Sequence, residues 1–261
     1  LGLRPVAQSR WLNAVSAIIP APKLELVRQL PFVRELRRVK KMERPLPLPG
    51  NTMARPRAEQ SHEFDYGESL GQNEQIKVPQ VHELGLNGEG VLVGMIDTGF
   101  DYPGRQVFDS LRVEAEYDFH FDDNVTANQE DDPPGQHTHG TKTLSVIAGF
   151  HEGELIGPAF GADYLLAKTE WSSSETRIEE DHWVAALEWM ERKGVDVVSS
   201  SLGYTSFDSG FSYEYGDLDG NTCVTTKAAD IAAAKGVIVV VSAGNYGQES
   251  WRHISSPADG D

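Results

Sequence analysis

A chain of 261 residues with 39% hydrophobic and 24% charged content is long enough for one large domain, or one domain with a small companion, around a real core. Its net charge of −17 divides into +9 over residues 1–57 and −26 over residues 58–261. An acidic body repels phosphates, which argues against a nucleic acid partner. No apolar run of about 18 residues occurs, so no membrane span is expected. The single Cys223 cannot form a disulfide within the chain.

In chain order, Trp11 to Ile19 is predicted as a strand, and Pro20-Ala21-Pro22 interrupts it. Leu24, Leu26, Val27 and Leu30 follow with the spacing of one short helix face, and Pro31-Phe32-Val33 begins a second predicted strand. Such a piece is a fragment of an α+β unit. Lys40 to Arg57 carries Pro45, Pro47, Pro49 and Pro56 among basic residues and reads as an extended, protease-accessible linker. We place a boundary near Ala58, giving segments 1–57 and 58–261. Leu1 to Arg10 lacks the pattern of a signal peptide and does not begin with Met, so the true start is expected upstream.

Beyond the boundary strands and helices alternate. Val91 to Ile96 is a continuous apolar run, as expected for a parallel strand covered on both faces. Ile178 to Lys193 is amphipathic, with Val184, Leu187 and Met190 on one stripe and Gly194 as a stop. Trp183 and Trp189 are expected to pack on the core, and His182 to be exposed. Val195 to Val198 is the next strand, Thr226 to Lys235 an Ala-rich helix, and Val237 to Val241 another buried strand. Repeated βαβ units predict an α/β fold: three layers, αβα, around a mostly parallel central sheet.

In such sheets functional groups gather beyond the carboxyl ends of the strands. Asp97 follows the first run, Asn245 follows the run ending at Val241, and His139 opens a helix expected to run to Ala148. A carboxylate, an imidazole and a carboxamide suit three roles in acyl transfer: tautomer holder, general base, and oxyanion donor. Each alone has a bland reading, as a turn former or a structural residue. His137 and His139, as His-x-His with Asp97, also leave a zinc hydrolase open. A single Asp97-Thr98-Gly99 is half of what an aspartic protease needs.

Four segments carry a more specific signal. Val93-Gly94-Met95-Ile96-Asp97-Thr98-Gly99, His137-Thr138-His139-Gly140-Thr141, Ser199-Ser200-Ser201-Leu202-Gly203-Tyr204 and Val239-Val240-Val241-Ser242-Ala243-Gly244-Asn245 resemble, in this order, conserved-role segments of the subtilisin-like serine peptidases, the subtilases. The order Asp, His, Ser is that of subtilisin. The resemblance spans about Tyr66 to Asp261 and implies a subtilisin-like fold for residues 58–261. It also implies a serine endopeptidase in which Asp97 orients His139, His139 is base and acid, and Asn245 donates to the oxyanion.

Ser201, Leu202 and Gly203 resemble the strand that pairs with an extended substrate backbone. Ser242, Ala243 and Gly244 resemble one wall of the primary side-chain pocket, and their small size suggests a roomy one. The family's Gly-Thr-Ser nucleophile motif is absent, so the chain is expected to end ahead of it and to be inactive alone; a catalytically dead binding module is the alternative.

Residues 13–17 with Leu30-Pro31-Phe32-Val33 resemble part of the family's inhibitor-like propeptide, with Phe32 where Gly is usual. Segment 1–57 is then a propeptide remnant, an intramolecular inhibitor whose positive charge suits the acidic body. Family resemblance places the protein outside the cell or in the envelope. No cofactor is required. The long stretch from Asp97 to His139 carries Asp118, Asp122, Asp123, Glu130, Asp131 and Asp132, where calcium as a structural ion is a possibility beside the blander reading of a solvated loop.

Overall fold

Leu92–Asp97 forms strand β3 because its apolar run is buried on both faces, so neither side needs polar residues. Around it lies a five-stranded sheet, parallel throughout, in the order β4-β7-β3-β8-β9, where β4 is Arg112–Asp118, β7 Asp163–Lys168, β8 Val197–Ser200 and β9 Ile238–Val241. The computed structural model describes residues 3–38, 62–208 and 210–261. The expected linker Lys40–Arg57 and the boundary at Ala58 lie outside the described residues.

Alternate residues of the strands feed two cores. On one face Ile96, Leu165, Ala167 and Val198 pack with Trp183, Leu187 and Met190 of helix α5 (Arg177–Arg192) and Ala228 and Ala232 of helix α6 (Val224–Ala234). On the other, Val93, Met95, Tyr164 and Leu166 pack with Leu144 and Ala148 of helix α4 (Thr138–Ala148). This is the expected three-layer αβα arrangement. Burying a large aliphatic or aromatic side chain is worth about 1.5–3 kcal/mol, so these two faces supply most of the driving force. Glu179 fixes the start of α5 in a capping box, accepting from the amides of Thr176 and, at 2.9 Å, Trp171. Trp183 is fully buried and satisfies its indole N–H on Ser200 Oγ at 2.9 Å.

A third, smaller cluster joins Tyr66, Leu70 and Ile156 to Phe64, Phe150 and Phe160. It packs helices α2 (Leu70–Gln75) and α3 (Val78–His82) beside the short antiparallel pair β5 (Phe150–His151) and β6 (Leu155–Ile156).

Several expectations need correction. The head contains an antiparallel hairpin, β1 (Arg4–Ser9) with β2 (Ala14–Ile18), so the predicted strand beginning at Trp11 starts at Ala14 and has a partner the sequence reading missed. Helix α1 is Leu24–Arg28, but Pro31-Phe32-Val33 forms no strand. Among the described residues strand β9 is at the edge of the sheet, and Ile238 (61%) and Val240 (52%) are exposed where a buried strand was expected. His182 is buried, its ring edge-on to His120 at 4.6 Å.

The hairpin lies on α5. Glu188 accepts from Ser9 Oγ, from the amide of Arg10 at 3.0 Å and from the amide of Trp11 at 3.2 Å, while Asp181 accepts from Ser16 Oγ. Two carboxylates seven residues apart share one helix face, about two turns.

Candidate active site

Asp97 ends β3 with its side chain sealed from solvent. One oxygen, Oδ1, accepts from its neighbour's amide, Thr98 N at 2.7 Å, and lies 2.7 Å from His139 Nδ1; Oδ2 accepts from Thr143 Oγ1 at 3.0 Å. A carboxylate oxygen facing Nδ1 at this distance accepts its proton, which holds the ring in the tautomer with Nε2 free. Thr143 was not singled out in the sequence. It lies four residues after His139, hence on the same face of α4, and that spacing was the available signal.

His139 sits in the first turn of α4 with 53% of its side chain exposed, so its ring is braced on one side and open on the other. The hydrogen bond to Asp97 raises its pKa above the ordinary imidazole value, and partial burial and Lys142 oppose the shift. An imidazole made more basic by its carboxylate partner, with more than half of its side chain open to solvent, is suited to proton transfer.

Helix and strand approach this closely because of Gly140. A Cβ there would stand 2.2 Å from the carbonyl oxygen of Gly99 and 3.0 Å from Asp97 Cβ. The Gly140 amide also donates to Thr98 Oγ1 at 3.2 Å.

The remaining expected site residues lie at the ends of β8 and β9. Ser201 is exposed just past β8, with Leu202 and Gly203 half-buried after it. Ser242 Oγ donates to Leu202 O at 3.1 Å, which ties the two segments together, and Ser242 N donates to Ser200 O at 3.1 Å. Ala243, Gly244 and Asn245 are exposed. The gap between Gly203 and Gly244 is filled: Ser255 Oγ would lie 2.1 Å from a Cβ on the first and 2.8 Å from one on the second. Ser255 thus packs between the segments that follow β8 and β9.

His137 does not converge with the pair. Its Nδ1 accepts from Asn128 N at 3.0 Å and its Nε2 is 3.7 Å from Asp101, so His137, His139 and Asp97 do not form a zinc ligand set.

The acidic stretch Asp118–Asp132 is also committed elsewhere. Asp118 and Asp132 each pair with the buried ammonium of Lys168 at 2.7 Å, Asp118 Oδ1 accepts two backbone amides, and Tyr117 donates to Asp122. Asp118, Asp122 and Asp132 are thus engaged by donors of the protein itself, whereas calcium takes six to eight oxygen ligands around one point. Among the described residues, the three carboxylates that do gather within 4.8 Å are Glu170, Glu175 and Glu179, and Glu179 is spent on capping α5. Glu170 is almost fully buried and bonded to Tyr204 OH at 2.6 Å; burial, opposed by that bond, pushes its pKa up to about 7.

A sequence model of the "Subtilase family" matches residues 88–260. The minor extracellular protease Vpr of Bacillus subtilis is 29% identical over 177 residues, 67% of this chain and 20% of that protein. Fervidolysin of Fervidobacterium pennivorans is 29% identical over 203 residues, 74% of this chain and 26% of that protein. The chain thus spans about a fifth to a quarter of these relatives. The solved CspB protease of Clostridium perfringens is 22% identical with a TM-score of 0.49, covering 68% of this chain and 40% of that one.

Proposed function

The chain belongs to the subtilase family, and from that premise we propose that it carries the base-and-orienter half of a serine endopeptidase. The observation that carries the reading is the 2.7 Å bond between sealed Asp97 and half-open His139. In the proposed reaction His139 Nε2 takes the proton of a serine hydroxyl as that oxygen attacks the peptide carbonyl. Asp97 stabilises the imidazolium that forms, and His139 then returns the proton to the leaving amine. The Asn245 carboxamide, exposed past β9, donates to the oxyanion. The serine is assigned to a segment outside residues 1–261, since no Gly-Thr-Ser occurs here.

An extended substrate backbone would pair with Ser201–Gly203, with Ser242–Gly244 beside its side chain. The chemistry requires no cofactor. Residues 58–261 are assigned to the catalytic domain, and 1–57 to a propeptide remnant with its linker. Support for the latter comes from the hairpin's seat on Glu188 and Asp181 and from the opposite charges of the two segments. An extracellular or envelope location is proposed from the described location of Vpr. The test is labelling of the gene's full-length product by a fluorophosphonate, with His139→Ala as control. A binding module would take no label.

A further inference from the structure

We propose that Lys168 is a positioning residue for the Asp97–His139 pair, acting through the acidic insert that it locks against the sheet. The inference rests on the reading of that pair as catalytic. Lys168 is the last residue of β7, and its side chain is entirely buried. Its Nζ is 2.7 Å from Asp118 Oδ2 and 2.7 Å from both oxygens of Asp132. A buried ammonium is tolerated only where carboxylates compensate it, and these two lie at opposite ends of the insert. The same carboxylates fold the insert back on itself: Asp118 Oδ1 accepts from His120 N at 2.7 Å and Phe121 N at 3.1 Å, and Asp132 Oδ2 from Gln129 N at 2.8 Å. Phe121 also lies against the ammonium, 5.0 Å from Nζ to its ring centroid.

From this closed loop two lines reach the pair. The first runs to the backbone just after Asp97. Thr126 O accepts from Phe100 N at 2.9 Å, and a Cβ on Gly99 would meet Thr126 O at 2.5 Å and Lys168 Cδ at 3.2 Å. Gly99, with φ of 125°, is thus pinched between the insert and the stem of the lysine. The second runs to the start of α4. Asn128 N donates to His137 Nδ1 at 3.0 Å, and His137 N donates to Asn128 Oδ1 at 2.9 Å, two residues ahead of His139. Next to the lysine itself, Thr169 N donates to Asp97 O at 3.1 Å. Carboxylate and imidazole therefore ride on separate elements, β3 and α4, and the clamped insert is wedged against both.

A plug that merely stabilised the core would affect melting alone, whereas a positioning residue also sets the geometry of proton transfer. The full-length gene product is compared with Lys168→Met and with the triple variant Lys168→Met, Asp118→Asn, Asp132→Asn, which removes the buried charges while the Asn oxygens still accept the insert's amides. Three quantities are read: thermal midpoint, kcat and KM on a peptide substrate, and the NMR titration of His139. Lys168→Met is expected to lower the midpoint, to cut kcat about 10²-fold with KM changed less than about threefold, and to bring the His139 titration down toward that of free imidazole. The triple variant is expected to regain the midpoint but not the kcat or the titration. Unchanged kcat and titration in a folded Lys168→Met protein would overturn the proposal. So would a triple variant whose kcat returns with its midpoint, which keeps the test decisive if the single variant does not fold. If the pair is not catalytic, His139→Ala leaves activity intact while the titration still responds to Lys168→Met, which separates the two failures.

Discussion

Replacing Glu170 by Gln removes a buried carboxyl whose ionisation opposes folding at high pH. Glu170 is 7% exposed, accepts from Tyr204 OH at 2.6 Å and Thr169 Oγ1 at 3.1 Å, and has the Glu175 and Glu179 oxygens within 4.8 Å. Burial raises its pKa from 4.5 to about 7, the hydroxyl bonds work against the rise, and the charges of Asp97 and Glu180 add to it. An unfolded chain releases this proton near pH 4.5 and the folded one only near 7. The stabilisation is therefore complete below about pH 4.5 and lost as pH rises through 7. A titration moved by about 2.5 pH units corresponds to about 3 kcal/mol. Gln does not ionise, its oxygen keeps the Tyr204 and Thr169 bonds, and its NH2 gains the neighbouring carboxylates as acceptors. Urea unfolding of parent and Glu170→Gln is expected to give equal stabilities near pH 4 and an advantage of up to about 3 kcal/mol for the variant near pH 8. A variant less stable than the parent at pH 8, or a difference independent of pH, would refute the reasoning.

Gly140→Ala places a methyl 2.2 Å from Gly99 O, so α4 must move away from β3. A loss of about 1–3 kcal/mol in thermal or urea unfolding is expected, together with loss of peptidase activity as the Asp97–His139 bond opens. Asn245→Ala in the full-length product is expected to lower kcat by about 10²–10³ with KM nearly unchanged. That magnitude is the one known for the oxyanion-hole asparagine of subtilisin, whose role is proposed here for Asn245, and steady-state kinetics on a peptide substrate checks it.

The sheet was legible because its strands carry the strongest local signal. Runs such as Val91–Ile96 admit few conformations other than a buried strand, and the stripe of Val184, Leu187 and Met190 fixes the face of α5. Asp97 and His139 stand out in the sequence because one ends a strand run and the other opens a helix, and the structure brings them within 2.7 Å of each other. What escaped the sequence depends on partners far along the chain. His182 looked exposed because its neighbours in sequence are charged, yet Glu179 and Glu180 are themselves buried at the start of α5. The acidic insert looked like a solvated or calcium-binding loop because its counter-ion, Lys168, comes 36 residues after Asp132. Val237–Val241 reads as a buried strand, whereas its place at the edge of the sheet among the described residues is a property of topology that an apolar run does not encode. The hairpin strand β1 was missed because Arg4, Pro5 and Gln8 interrupt any apolar alternation, and it pairs only through its neighbour β2.

The most direct test of the central claim is to treat the full-length gene product with a fluorophosphonate probe and map the labelled peptide by mass spectrometry, in parallel with His139→Ala. One labelled serine outside residues 1–261, absent in the variant, is the predicted result, because only a serine activated by the Asp97–His139 pair attacks the probe at a useful rate. A folded protein freed of residues 1–57 that takes no label, or takes it equally well without His139, would contradict the account.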